Sequence, residues 1–157
     1  MALILGKVEN QRLKKVKIDW SYPKKLDNMW NDERLNDYGV YYISSKYKDK
    51  EKFLYIGQTY DSFYNRLVSH DFNWLNEYKG EKYIRLGYIT YPPSINGDEA
   101  KKKIIKAVEA ALIFDMRDIV ENISGISSYT PEYWIKINNT GYRGELRETI
   151  SMWEHIK

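Results

Sequence analysis

The chain has no cysteine and only two histidines, His70 and His155. The first absence excludes a disulfide scaffold and any thiolate metal site. The second leaves too few ligands for a structural zinc centre, so a bound metal is expected to have oxygen ligands. Long apolar runs are missing too: no stretch approaches the ~20 residues that cross a bilayer. The apolar residues ahead of Lys7 are too few for a secretion signal. The expectation is an intracellular, cytoplasmic protein that does not enter a membrane. Internal repeats, low-complexity tracts and Pro- or Gly-rich linkers are also lacking, so 157 residues are read as one domain with a real core.

What is abundant is aromatic: 15 Tyr and 5 Trp, with 43% hydrophobic and 30% charged residues, a composition that argues against extensive disorder. The net charge of +3 supports no claim about nucleic acid by itself. Its distribution is uneven, because residues 1–25 carry seven Lys or Arg against Glu9 and Asp19. That segment reads either as a phosphate-contacting arm or as a solvated amphipathic stretch.

Residues 39–44 (GVYYIS) and 53–57 (FLYIG) are short β-branched and aromatic runs around a charged tip, the pattern of an antiparallel hairpin. Asp61 or Ser62 then caps a helix of about four to five turns through Phe63, Leu67, Trp74 and Tyr78, stopped at Gly80. Residues 82–91 read as a third strand ended by Pro92 and Pro93. From Asp98 to about Asp118 the apolar residues Ile105, Val108, Leu112 and Met116 recur at helical spacing, with acids in the first turn. Residues 133–137 suggest a strand, 138–144 a turn, and Leu146, Ile150, Trp153 and Ile156 a final helix. Residues 1–35 mix short helical and extended signals. The expected fold is α+β, an α/β sandwich of a small, mainly antiparallel three-stranded sheet flanked by helices. It divides into an N-terminal extension (1–37), a core (38–140) and a C-terminal helical tail (141–157).

Several polar residues are placed oddly for a purely structural role. If Ile43 lies opposite Phe53, Tyr41 lies opposite Tyr55 and both hydroxyls project from one side of the hairpin, unless a bulge intervenes. Arg66 and His70 are four apart and stack on one helical face beside the apolar stripe. Glu109 falls about 40° from Ile105 on the wheel, a carboxylate aimed at the core edge, where the small neighbours Ala110 and Ala111 leave room for something to approach. Each has a plainer alternative: strand packing for the tyrosines, an ion pair with Glu77 for Arg66, a carbonyl-bonded imidazole for His70, and a pair with Lys106 for Glu109.

Gly39-Val40-Tyr41 and Tyr55-Ile56-Gly57 on a hairpin, followed by helical Arg66 and His70 and a later helical Glu109, resemble the GIY-YIG nuclease family. The resemblance spans about residues 38–139. It implies a one-metal DNA endonuclease that hydrolyses phosphodiester bonds, a compact restriction, mobile-element or repair enzyme. Glu109 would be the only protein ligand to Mg2+ (or Mn2+), Arg66 a phosphate clamp, and Tyr41, Tyr55 or His70 the group that takes the proton from water. A supporting asparagine corresponds to Asn138 or, preferably, Asn139; either is equally a turn residue before Gly141. Gln58 departs from the lysine that many members carry after YIG, which keeps open a catalytically weak or inactive nucleic-acid-binding protein of the same fold. Lys46 and Lys48 are candidate substitutes for that lysine. With Lys14, Lys15, Lys17, Lys101 and Arg143 they are also candidate DNA contacts. A homodimer is expected if the enzyme cuts both strands at a specific site.

Overall fold

The computed structural model describes residues 13–69, 72–117 and 134–151. Its centre is one mixed, curled sheet of seven strands in the order β4-β3-β5-β1-β6-β7, with β2 also paired to β5. The strands are β1 (Leu13–Trp20), β2 (Lys24–Lys25), β3 (Gly39–Tyr47), β4 (Lys50–Thr59), β5 (Glu81–Thr90), β6 (Trp134–Gly141) and β7 (Thr149–Ser151). Two α-helices accompany them among the described residues, α1 (Phe63–Ser69) and α2 (Asp98–Asp115), with short 3-10 turns at Leu26–Asn28, Glu33–Asn36 and Asn73–Glu77. This overturns the expected small three-stranded sandwich: the sheet more than doubles that size and strands dominate.

The physical source of the difference is β1. Val16, Ile18 and Trp20 are buried while Lys15, Lys17 and Asp19 face solvent, the two-residue period of a half-buried strand. Its lysines occupy the solvent face, so a segment that looks merely basic is an interior strand. It pairs antiparallel with β5 and parallel with β6, where Val16 meets Ile137 and Ile18 meets Asn139. The β6 ladder draws 138–141 into a strand where turn residues suggested a reversal, and 149–151 form β7 in place of the start of a helix.

Local corrections follow from backbone chemistry. The β3–β4 hairpin pairs as far as Tyr47 and Lys50 and turns on Lys48 and Asp49, both with positive φ (51° and 63°). A tight left-handed turn of this kind matches strand twist, so the tip is short. The expected long helix after residue 61 is two pieces. Ser62 Oγ accepts from Asn65 N at 3.1 Å to cap α1, but α1 is only seven residues long and Asn73–Glu77 is a 3-10 turn. α2 matches expectation closely.

Two cores lie on opposite faces of the sheet. On one, α2 buries Ile104, Ile105, Val108 and Leu112 against Val16, Ile18, Tyr42 and Ile56. On the other, α1 and the 3-10 turns bury Phe63, Leu67, Leu35 and Met29 against Tyr41, Ile43 and Leu86. Full burial of each aliphatic side chain contributes about 1.5–3 kcal/mol. Strand β4 ends the sheet order, so one of its edges is paired with no other strand among the described residues.

Asn139 ties the remote end together. It is buried; its Oδ1 accepts from Trp20 Nε1 at 2.9 Å and its Nδ2 donates to the Arg147 carbonyl at 2.9 Å. Asn139→Leu leaves both partners unsatisfied and is expected to cost about 2–4 kcal/mol, read as a lowered urea midpoint. An unchanged midpoint would refute this bracing role.

Candidate active site

The glycines of the two tyrosine motifs have separate steric reasons. Gly39 has φ of +148°, and a Cβ there would stand 2.4 Å from the Gly87 carbonyl oxygen. At Gly57 a Cβ would stand 2.2 Å from Tyr41 Cζ and 2.3 Å from its hydroxyl. Tyr41 lies opposite Gly57 in the ladder, and its ring occupies the space a side chain would take. The tyrosines are thus not directly opposed. The register shifts beyond Ile43, which pairs with Tyr55, and the extra residue in β4 lets Leu54 and Tyr55 both join the core that holds Tyr41. The bulge re-aims Leu54, while Tyr55 keeps the face that regular alternation gives it. The rings end up stacked with centroids 6.0 Å apart, 29° between planes.

Tyr55 is further held by Phe72 and Trp74, at centroid distances of 6.0 and 5.8 Å. Tyr41 is wholly buried and its hydroxyl has no hydrogen-bond partner. Burial pushes the ionisation of both phenols up, and the Arg66 guanidinium opposes this rise in each. Arg66 comes from α1, half-buried, with a buried and unpartnered Nε. The guanidinium interacts with the hydroxyls of both Tyr41 and Tyr55, and its Nε is left without a partner.

Glu109 reaches this cluster from the other layer. Burial raises its carboxyl to about 7, with the charge of Arg66 opposing the rise. Its own charge in turn raises the Tyr55 phenol. The anticipated alternative pair with Lys106 is absent, and Glu109 has no ion pair or hydrogen bond among the described residues. Arg66 therefore acts electrostatically on Tyr41, Tyr55 and Glu109 together. Four of the six sequence candidates meet at the outer edge of β4, from β3, β4, α1 and α2.

The remaining candidates fare differently. His70 lies outside the described residues. Asn139, on β6, stands three strands from β3, about 14 Å away at ~4.8 Å per strand, and serves the sheet, not this cluster. Asn138 is exposed on the opposite side of β6. Lys46 and Lys48 sit near the hairpin tip, roughly 16–23 Å along the strand from Tyr41 at ~3.3 Å per residue, too far to replace a lysine at position 58. Lys15 and Lys17 face solvent, while Lys14 Nζ donates to Ser94 Oγ at 3.3 Å. Lys101 lies over the Tyr91 ring, 5.4 Å from its centroid, and Arg143 donates to the Leu146 carbonyl at 2.6 Å. Sequence reasoning passed over the cleft beside the cluster, a hollow of about 360 Å³ lined by Gln58, Thr59, Tyr60, Asp61, Arg66, Lys102 and Lys106. The four-residue interval from Lys102 to Lys106, ending one turn before Glu109, is the signal that could have found it.

No protein-family model, curated protein or solved structure matches the chain. Among the described residues no three acidic or histidine side chains converge as a metal cage. A single carboxylate is chemically sufficient for Mg2+, which keeps several waters and shares substrate oxygens. Glu109, charged only at a cost and without a protein cation in contact, fits that demand.

Two outcomes follow from this geometry. The folded Glu109 carboxyl titrates above its ordinary 4.5, so the metal-free protein binds an extra proton between those values and loses stability as pH rises through about 7. Glu109→Gln in EDTA is expected to raise stability by about 1–3 kcal/mol at pH 8 and by almost nothing at pH 4. A melting temperature that falls at pH 8 would mean the carboxylate is structurally paired. Gly57→Ala is expected to displace the Tyr41 ring and cost about 1–3 kcal/mol, detectable as a lower melting temperature together with altered Tyr41 ring signals in NMR.

Proposed function

We propose that this chain is a divalent-metal-dependent endonuclease that hydrolyses DNA phosphodiester bonds, of the GIY-YIG type that its motifs resemble. The observation that carries the reading is the meeting of Tyr41, Tyr55, Arg66 and Glu109 at one sheet edge, from four separate elements. Among the described residues the carboxylate is in no ion pair or hydrogen bond, although it feels the charge of Arg66.

In this reading Glu109 holds Mg2+, or Mn2+ in its place. When bound, the ion supplies Lewis-acid stabilisation of charge on the phosphate and the leaving oxygen. Arg66 offers guanidinium donors to a non-bridging phosphate oxygen, where charge grows in the transition state. Both phenols resist ionisation, so at neutral pH they serve as neutral groups. Tyr55, partly exposed, orients water or phosphate by hydrogen bonding, and buried Tyr41 supports Tyr55 from behind. A neutral phenol above pKa 10 is a poor proton acceptor, which moves the task of proton removal away from the tyrosines.

Supercoiled plasmid and labelled duplex oligonucleotides incubated with Mg2+, Mn2+ or EDTA test the reading. Wild type is expected to cut only with metal. Arg66→Ala is expected to slow turnover by about 10²–10³-fold, and Glu109→Ala to abolish metal-dependent cutting. Cleavage that persists in EDTA, or that neither substitution reduces, overturns the proposal.

A further inference from the structure

The cleft beside Arg66 has a consistent charge. Three cations line it, Arg66, Lys102 and Lys106, against one acid, Asp61. Asp61 Oδ2 already accepts from Asn65 Nδ2 at 2.9 Å. Lys106 is exposed and has no hydrogen bond or ion pair among the described residues. Lys102 Nζ lies 5.5 Å from the Tyr60 ring centroid and 3.6 Å from the exposed Glu99 carboxylate. Gln58 contributes a neutral amide to the same lining.

The helix places these groups in series. On α2 positions 102, 106 and 109 fall within about 60° of one another around the axis. Lys106 stands one turn, and Lys102 two turns, towards the helix start from Glu109. A polyanion seated on Glu109 and Arg66 therefore meets lysine next along the helix. At about 360 Å³ the hollow is in the range that takes a nucleotide-sized group and exceeds what one bare phosphate needs.

We propose that Lys106, assisted by Lys102, forms a phosphate subsite for the nucleotide adjoining the scissile bond, one step along the DNA backbone from Arg66. The inference rests on the nuclease reading and adds to it the direction in which the strand leaves the site, towards the start of α2. A backbone contact of this kind binds without reading sequence.

Anisotropy of a fluorescein-labelled duplex with the full chain in EDTA, over roughly 50–200 mM salt, gives the slope of log affinity against log salt. Lys106→Gln is expected to lower its magnitude by about 1, and Lys102→Gln with Lys106→Gln by about 2. Adding Gln58→Lys to Lys106→Gln returns a cation to the same cleft and is expected to restore the slope, which a merely structural lysine would not permit. Lys79→Gln, in the segment before β5 beside Tyr47 at the far tip of the hairpin, leaves the slope unchanged. An unaltered slope in the Lys106 variants, an equal loss with Lys79→Gln, or no rescue by Gln58→Lys overturns the subsite. Cleavage assayed in parallel separates the two ideas. Metal-dependent cutting with an unmoved slope defeats the subsite alone, and a lowered, rescued slope without any cutting defeats the nuclease reading and its scissile bond while leaving Lys106 and Lys102 as a DNA phosphate contact.

Discussion

The contact on which the candidate site depends is the packing of the Tyr41 ring into the space left by the missing side chain of Gly57. A tyrosine on the middle of three paired strands cannot otherwise lean across to the outer strand. That lean brings its hydroxyl under Arg66 and its ring against Tyr55. Tyr55, opposite Ile43 in the ladder, shares the face of Tyr41 by the ordinary two-residue period of a strand, and the bulge just beyond it brings Leu54 into the same core. Both devices are backbone features, fixed before any charged group is added.

Around that aromatic base the charges are under-compensated in a particular way. Arg66 keeps a buried Nε without a partner, and Glu109 keeps a carboxyl that burial holds near neutrality. A protein optimised only for stability would bring these two into contact or replace them with apolar side chains. Elsewhere this chain does pair its buried charges. Arg85 is clamped by Glu51, which also accepts from Ser44 Oγ, and Asp32 is bonded by Lys24 and Arg34. Arg85 also leaves its Nε without a partner, so what singles out the β4 edge is the Glu109 carboxyl, buried and in no ion pair among the described residues.

The parts legible in the sequence were those fixed by short-range chemistry. Helix α2 announced itself through its stripe and acidic first turn, and Glu109 through its position beside the stripe. Tyr41, Tyr55 and Arg66 were legible as motif members and do assemble. Other features depend on partners distant along the chain. The alternation of Val16, Ile18 and Trp20 was present, but flanking lysines made the segment look like a charged arm. Asn138 to Gly141 carry turn residues, yet parallel pairing with β1 holds them extended. Asn139 was expected to support the active site, but what it holds is Trp20 and the 147–148 segment, far from the tyrosines. Lys106 was seen only as an alternative partner for Glu109, because its spacing from Lys102 gains meaning only once the end of β4 and α1 close the cleft beside it.

The parallel pairing of β1 with β6 also shapes how the protein comes into being. The two strands lie more than a hundred residues apart in sequence, whereas the elements of the tyrosine cluster all fall between residues 39 and 115. Loop closure over such a separation is slow relative to hairpin and helix formation. On a ribosome β1 emerges before β6, and its outer edge waits for that strand while more than a hundred residues are added. During that interval a strand with alternating Val, Ile and Trp exposes unpaired backbone, and its solvent-face lysines are the feature that discourages another chain from pairing there first. The basic character of this segment thus has a role in assembly that is independent of any nucleic acid.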